Sequence, residues 1–138
     1  ITVMVQKEVA NRMVADVGNK DYASLSLFVK QNSDAKIILN APKTVFMPQP
    51  KVDSAVVNMK LKKLDEDIDQ ELLRQLIRSG FSKRRKTILN SFTSGFVNVD
   101  KEKLKSILQE LGLKENLRAE NLSLEDYKNI VKKLSVID

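Results

Sequence analysis

The chain contains no cysteine, no histidine and no tryptophan. Without cysteine there is no disulfide framework and no thiolate metal site. Without histidine the commonest general base and metal ligand is missing, so serine triads and zinc hydrolysis are excluded. No apolar run approaches the ~20 residues that a membrane-spanning helix needs. A glycine-rich phosphate loop, a P-loop and metal-ligand spacing are likewise absent, and no self-sufficient cofactor site is visible. The opening Ile1 to Val5 has no charged segment ahead of it and is too short for a signal peptide, so it reads as the beginning of a fragment.

What is present is the composition of a globular protein. Apolar residues make up 42% and charged residues 30% of 138 residues. That length suits one ordinary domain, or the end of one domain followed by a small second one. The formal net charge of +6 favours a polyanion such as nucleic acid over an acidic small substrate.

The patterning changes part-way along the chain. Ile1-Thr2-Val3-Met4-Val5 is a continuous β-rich run, the pattern of a strand covered on both faces in a parallel sheet. Val5, Val9, Met13 and Val17 then recur at helical steps up to a stop at Gly18. A second helical face carries Tyr22, Leu25, Phe28 and Val29, and Ile37-Ile38-Leu39 forms a short strand. Pro42, Pro48 and Pro50 make Ala41 to Lys51 a rigid extended loop. Ala55, Val57, Met59 and Leu61 follow with a period of two, a strand with one face buried more deeply.

From Lys62 to Asp67 the chain is a charged linker, and Asp67 with Gln70 makes a helix-opening capping box. Beyond it the spacing is helical throughout: Ile68, Leu72, Leu76; then Ile88, Leu89, Phe92, Phe96; then Leu104, Ile107, Leu108, Leu111; then Tyr127, Ile130, Val131, Leu134. Gly95 and Gly112 act as stops, Asp100 as a cap, and Ser123 with Asp126 as a second capping box. The expected fold class is α/β plus all-α. Residues 1–63 are the C-terminal portion of an open α/β sheet, and residues 64–138 are a small helical domain.

Four segments are candidates for chemistry. Phe81-Ser82-Lys83-Arg84-Arg85-Lys86-Thr87 places four cations in a row, with no acid between Glu71 and Asp100. The tail as a whole has 14 basic and 13 acidic residues, so the clustering is the signal rather than the sum. Lys83, Arg84, Arg85 and Lys86 match the phosphates of an RNA backbone, the arginines through their planar fork and the lysines as point charges. The competing reading is a solvated helix start. Phe46, held in a proline-rich loop, either presents its ring to a base or plugs the end of the sheet, and pattern alone does not choose. Gln6-Lys7-Glu8 follows the first strand, where ligands of open α/β sheets collect, but it equally forms the polar first turn of a helix. Arg118-Ala119-Glu120-Asn121 precedes the last helix and reads as a hydrogen-bonded turn.

These segments together resemble the small-subunit ribosomal RNA adenine N6,N6-dimethyltransferases. Met4-Val5-Gln6-Lys7-Glu8-Val9-Ala10-Asn11-Arg12 and Tyr22-Ala23-Ser24-Leu25-Ser26 are similar to that family's strand-to-helix segment and the helix after it. Phe46-Met47-Pro48-Gln49-Pro50-Lys51-Val52-Asp53-Ser54-Ala55-Val56-Val57 resembles its late methyltransferase motif. Phe81 to Thr87 with Asn90-Ser91, and Arg118 to Asn121, resemble two marks of its helical domain. Erythromycin-resistance methyltransferases share the first part, but they typically read Asn where Asp53 stands and lack the later marks in this form. Mitochondrial transcription factors related to the family show that one architecture serves more than one purpose.

The resemblance implies a Rossmann-like methyltransferase sheet followed by an RNA-binding helical domain, in a cytoplasmic enzyme. Its parent would transfer methyl groups from S-adenosylmethionine to two adjacent adenosines of 16S rRNA in the small ribosomal subunit. Phe46 would stack on the target adenine, Lys83, Arg84, Arg85 and Lys86 would hold RNA, and the methyl donor would be bound upstream of Ile1. The alternative is a non-catalytic RNA- or ribosome-binding module. Neither reading involves a metal or a membrane. The open sheet edge at Ile1 to Val5 offers copies of an isolated fragment a place to pair.

Overall fold

The computed structural model describes residues 1–83, 85–94 and 99–136. The chain divides into two compact units, Ile1–Leu64 and Asp65–Asp138.

The first unit is a three-stranded sheet with helices on one face. Strand β1 (Thr2–Gln6) runs into helix α1 (Lys7–Val14), then α2 (Ser24–Asn32), strand β2 (Ser33–Ala41), a 3-10 turn at Lys43–Val45, and strand β3 (Ser54–Leu61). The strand order is β1-β3-β2, and β3 is antiparallel to both neighbours. Strands β1 and β2 are therefore parallel to one another, joined by a helical crossover, with β3 inserted between them.

Alternation decides what the helices cover. Val3, Val5, Ala35, Ile37, Ala55, Val57 and Met59 pack with Ala10 and Met13 of α1 and with Leu25 and Val29 of α2. Ser26 is fully buried and ties the two helices together. Its hydroxyl accepts from the Ala23 N–H at 3.0 Å and donates to the Arg12 carbonyl. On the opposite face Met4, Val56 and Leu39 form one cross-strand row, and Met4 and Leu39 are 57% and 60% exposed.

Four expectations are corrected here. Ile1–Val5 does not lie in an all-parallel sheet: it pairs with β3 in antiparallel fashion, and in this chain its Val3 and Val5 side packs with the helices. Helix α1 ends at Val14, with Ala15 extended, so Val17 lies outside it. Gly18 instead takes φ +94° in the turn where Asn19 donates to the Asp16 carbonyl at 3.0 Å. Strand β2 is longer than Ile37 to Leu39, and a bulge between Ile37 and Leu39 turns Leu39 to the open face. The proline-rich loop contains a helical turn as well as extended chain.

The second unit contains α3 (Gln70–Ser82), α4 (Ile88–Ser94), α5 (Lys101–Glu110), a 3-10 turn at Ala119–Asn121 and α6 (Leu124–Val136). The cap of α3 is Asp69, not Asp67. Its carboxylate accepts from Leu72 N–H at 3.1 Å, while Gln70 reaches back to the Asp65 carbonyl. Asp100 occupies the N-cap position of α5 without a side-chain capping bond. Gly112, at φ +71°, closes α5: Leu113 N–H reaches the Leu108 carbonyl at 2.8 Å. Ser123 and Asp126 exchange backbone-to-side-chain bonds of 3.0 and 3.2 Å, the reciprocal box at the start of α6. Gly95 and Phe96 lie outside the described residues.

Each helix supplies one apolar face. Leu73, Leu76, Ile77, Phe92, Leu104, Leu108, Tyr127 and Ile130 are all buried. Gly80 is required by close approach, since a Cβ there would stand 3.0 Å from the Ala119 Cβ and 3.3 Å from the Phe92 ring and the Tyr127 hydroxyl. That hydroxyl donates to the Ala119 carbonyl at 2.9 Å.

Candidate nucleic-acid interface

The carboxyl ends of β1 and β2 lie side by side, bridged by the start of β3. Gln6, Ser54 and Ala41 form the last cross-strand row. Beyond it is a cleft of about 270 Å³ lined by Lys7, Asn40, Ala41, Pro42, Asp53 and Ser54. Lys7 N–H donates to the Asp53 carbonyl at 2.9 Å. The Lys7 ammonium donates to the Asn40 amide oxygen, and the Asp53 carboxylate accepts from the Lys43 N–H at 2.8 Å.

Gln6-Lys7 thus joins strand to helix with a direct role at the sheet's end, in addition to forming the helix's polar first turn. Asn40 and Asp53 were not singled out as site residues from the sequence. The available signal was their position, one at the end of an apolar run just before Pro42 and the other just before the period-two strand.

Phe46 follows the 3-10 turn, half-buried, with its N–H bonded to the Lys43 carbonyl at 3.4 Å. Val45 and Met47 on either side are 67% and 99% exposed. The Met47–Pro48 peptide is cis. With Val45 and Met47 exposed, the loop displays apolar side chains near a polar cleft.

In the helical unit, Lys83 caps the end of α3, and Lys86 N–H donates to its carbonyl at 3.0 Å, making a turn. Arg85 and Lys86 are exposed and Lys83 is half-buried. Arg84 lies outside the described residues. Ile88, the first residue of α4, donates its N–H to the Leu117 carbonyl at 2.8 Å. This brings the exposed Arg118 next to the basic turn. Arg118-Ala119-Glu120-Asn121 is structural as read: Arg118 N–H donates to the Asn121 side chain at 2.9 Å, and Ala119 is buried under Tyr127. The Arg118 side chain was not proposed from sequence, and its neighbour across the bond is what marks it.

The model of the ribosomal RNA adenine dimethylase family matches residues 1–135. The chain belongs to that family. It is 44% identical over 133 residues to ribosomal RNA small subunit methyltransferase A of Oceanobacillus iheyensis, covering 94% of this chain and 45% of the relative. The protein of the same name from Clostridioides difficile is 42% identical over 130 residues, covering 92% and 44%. Among solved structures, a dimethyladenosine transferase from Plasmodium falciparum matches with a TM-score of 0.81 and 26% identity, over 98% of this chain and 56% of that one. The 23S rRNA methyltransferase ErmE shares the fold alone, at 17% identity and a TM-score of 0.68. The chain spans about half the length of the relatives it matches.

The observed architecture is thus part of a methyltransferase fold, an α/β sheet portion followed by helices. The residues at the end of β1 do not fit a methyl-donor cradle, because Gln6 passes to Lys7 with no glycine to let a ligand approach the backbone. Among the described residues no group of three or more acidic side chains is placed to hold a metal ion, and no helix is long and apolar enough to cross a membrane.

Proposed function

We propose that this chain is the RNA-recognition portion of a ribosomal RNA adenine dimethyltransferase of the small subunit, acting in the cytoplasm on 16S rRNA. S-adenosylmethionine, on this reading, is bound by the part of the relatives' length that this chain does not span. The free edge of β1 is where the rest of that sheet adds. In an isolated chain the same edge offers a second copy a pairing partner.

The carrying observation is the family match over residues 1–135, together with a basic turn between two helices whose Arg85 and Lys86 are exposed. Lys83, Arg84, Arg85 and Lys86, extended by Arg118, neutralise phosphates of the rRNA backbone and fix its register. The adenine, extruded from its stack, lies against the Phe46 ring. Stacking of this kind contributes about 1 to 3 kcal/mol, which offsets the cost of extruding the base rather than adding to RNA affinity, and leaves the exocyclic amine free to be oriented. Methyl transfer then depends on holding that amine in line with the donor's methyl carbon, a positional demand that the Phe46 loop helps to meet.

The test is methyl transfer by the protein at the full length of its relatives, with small-subunit rRNA and S-adenosylmethionine. Labelled methyl groups are expected on two neighbouring adenosines. Phe46→Ala is expected to lower turnover while RNA affinity holds. RNA binding without any methyl transfer would favour the binding-module reading instead.

A further inference from the structure

Asp53 is bonded in two directions at the end of the sheet. Its carbonyl accepts the Lys7 N–H at 2.9 Å, which fixes its backbone to the junction of β1 and α1. Its carboxylate accepts the Lys43 N–H at 2.8 Å, ten residues back in the chain. Between Lys43 and Asp53 lies the whole Phe46 loop. Inside the loop, the bonds joining backbone to backbone are Val45 N–H to the Pro42 carbonyl at 3.1 Å and Phe46 N–H to the Lys43 carbonyl at 3.4 Å. Both stay within the turn and neither ties it to the sheet.

We propose that Asp53 is a positioning residue, which clamps the Phe46 loop onto the carboxyl end of β1 through the Lys43 amide and so sets where the aromatic ring meets the substrate base. This rests on the reading of Phe46 as the base-stacking ring. Phe46 is three residues from the clamped amide, within one helical turn, so freeing Lys43 moves the ring with it. The bond needs an acceptor at Oδ1, not a charge. Asparagine at this position offers the same carbonyl oxygen, and alanine offers none.

The experiment uses the full-length protein with variants at both ends of the bond. Asp53→Ala is expected to lower kcat about 10- to 100-fold, the cost of an ångström-scale misplacement, with KM for rRNA nearly unchanged. Asp53→Asn should recover most of that loss. Lys43→Pro deletes the donor and keeps the carboxylate. Pro42 is already extended at ψ 147°, as a residue before proline must be. This variant should match Asp53→Ala, and the double variant should be no worse than either, because both remove one interaction. Lys43→Ala keeps the amide and should retain kcat.

Hydrogen exchange at the Lys43 amide supplies a readout that needs no turnover, with protection lost in Asp53→Ala and kept in Asp53→Asn. Unchanged protection in Asp53→Ala would overturn the clamp, as would an Asn variant as impaired as the Ala variant, or additive losses in the double. The functional reading fails separately, through a wild-type protein that transfers no methyl group or a Phe46→Ala protein of full activity. The exchange result judges the clamp in either case.

Discussion

Residues 65–138 bury their large side chains, while residues 1–64 leave many of theirs in view. Phe92, Tyr127, Leu73, Leu76, Leu104 and Leu108 are all fully enclosed in the helical unit. In the sheet unit the buried apolar positions are Leu27 and Tyr22 together with Ala10, Met13, Ala15, Ala55 and Val57, so few of the large side chains there are enclosed. Among the described residues, the exposed large apolar side chains, including Met4, Ile38, Leu39, Val45 and Met47, all fall in the first unit. A large apolar side chain gains about 1.5 to 3 kcal/mol on full burial, so the sheet unit forgoes that contribution at several positions. The helical unit is closed on itself. The sheet unit has one face packed and one edge and face open, as fits a chain spanning about 45% of its relatives' length.

The largest test of this contrast separates the two. Residues 65–138 expressed alone should melt in one cooperative transition by circular dichroism, and residues 1–64 alone should show none. A cooperative melt of the sheet segment would break the contrast.

Single substitutions sharpen it. Phe92→Ala should destabilise the helical unit by about 3 to 5 kcal/mol in urea titration, the range for a buried phenylalanine. Met4→Ala, on the open face, should leave the isolated chain's transition where it was. A smaller loss, about 1 to 3 kcal/mol, is expected for Gly80→Ala, because the added methyl overpacks against Ala119 and Phe92. Smaller than the Gly80 effect is that of Lys133→Ala, which breaks a 3.2 Å pair with Glu110 that is about half exposed on both sides. Its effect on the midpoint should correspond to less than about 1 kcal/mol.

Legibility in the sequence followed the same division. In the helical unit the 3.6-residue spacing of Leu104, Ile107 and Leu108, the stop at Gly112 and the box of Ser123 with Asp126 are local signals, and local signals dominate where each helix satisfies its own backbone. The cap of α3 was misplaced by two residues because Asp65, Asp67 and Asp69 offer similar carboxylates at alternate positions. In the sheet unit, direction and cover depend on partners far along the chain. Ile1–Val5 carries no mark of the antiparallel β3 that reaches it more than fifty residues later, and the apolar run alone reads as two-sided burial.

The site was legible as residue types and not as connections. Phe46 and Lys83, Arg85 and Lys86 stand out in the sequence by composition. Arg84 belongs to the same run and lies outside the described residues. The bonds from Asp53 to Lys43 and Lys7, and from Ile88 to Leu117 beside Arg118, join residues whose proximity only the fold creates.

The helical unit, on the proposed function, folds by itself and holds rRNA through its basic turn. The most direct measurement is the affinity of residues 65–138 for a small-subunit rRNA stem-loop at several salt concentrations. The slope of log K against log salt should be about −4, as five phosphate contacts, Arg118 included, give at about 0.7 to 0.9 each. Replacing Lys83, Arg84, Arg85 and Lys86 by Ala should remove most of both slope and affinity. A folded segment that binds no RNA, or one whose slope survives the four substitutions, would contradict that reading.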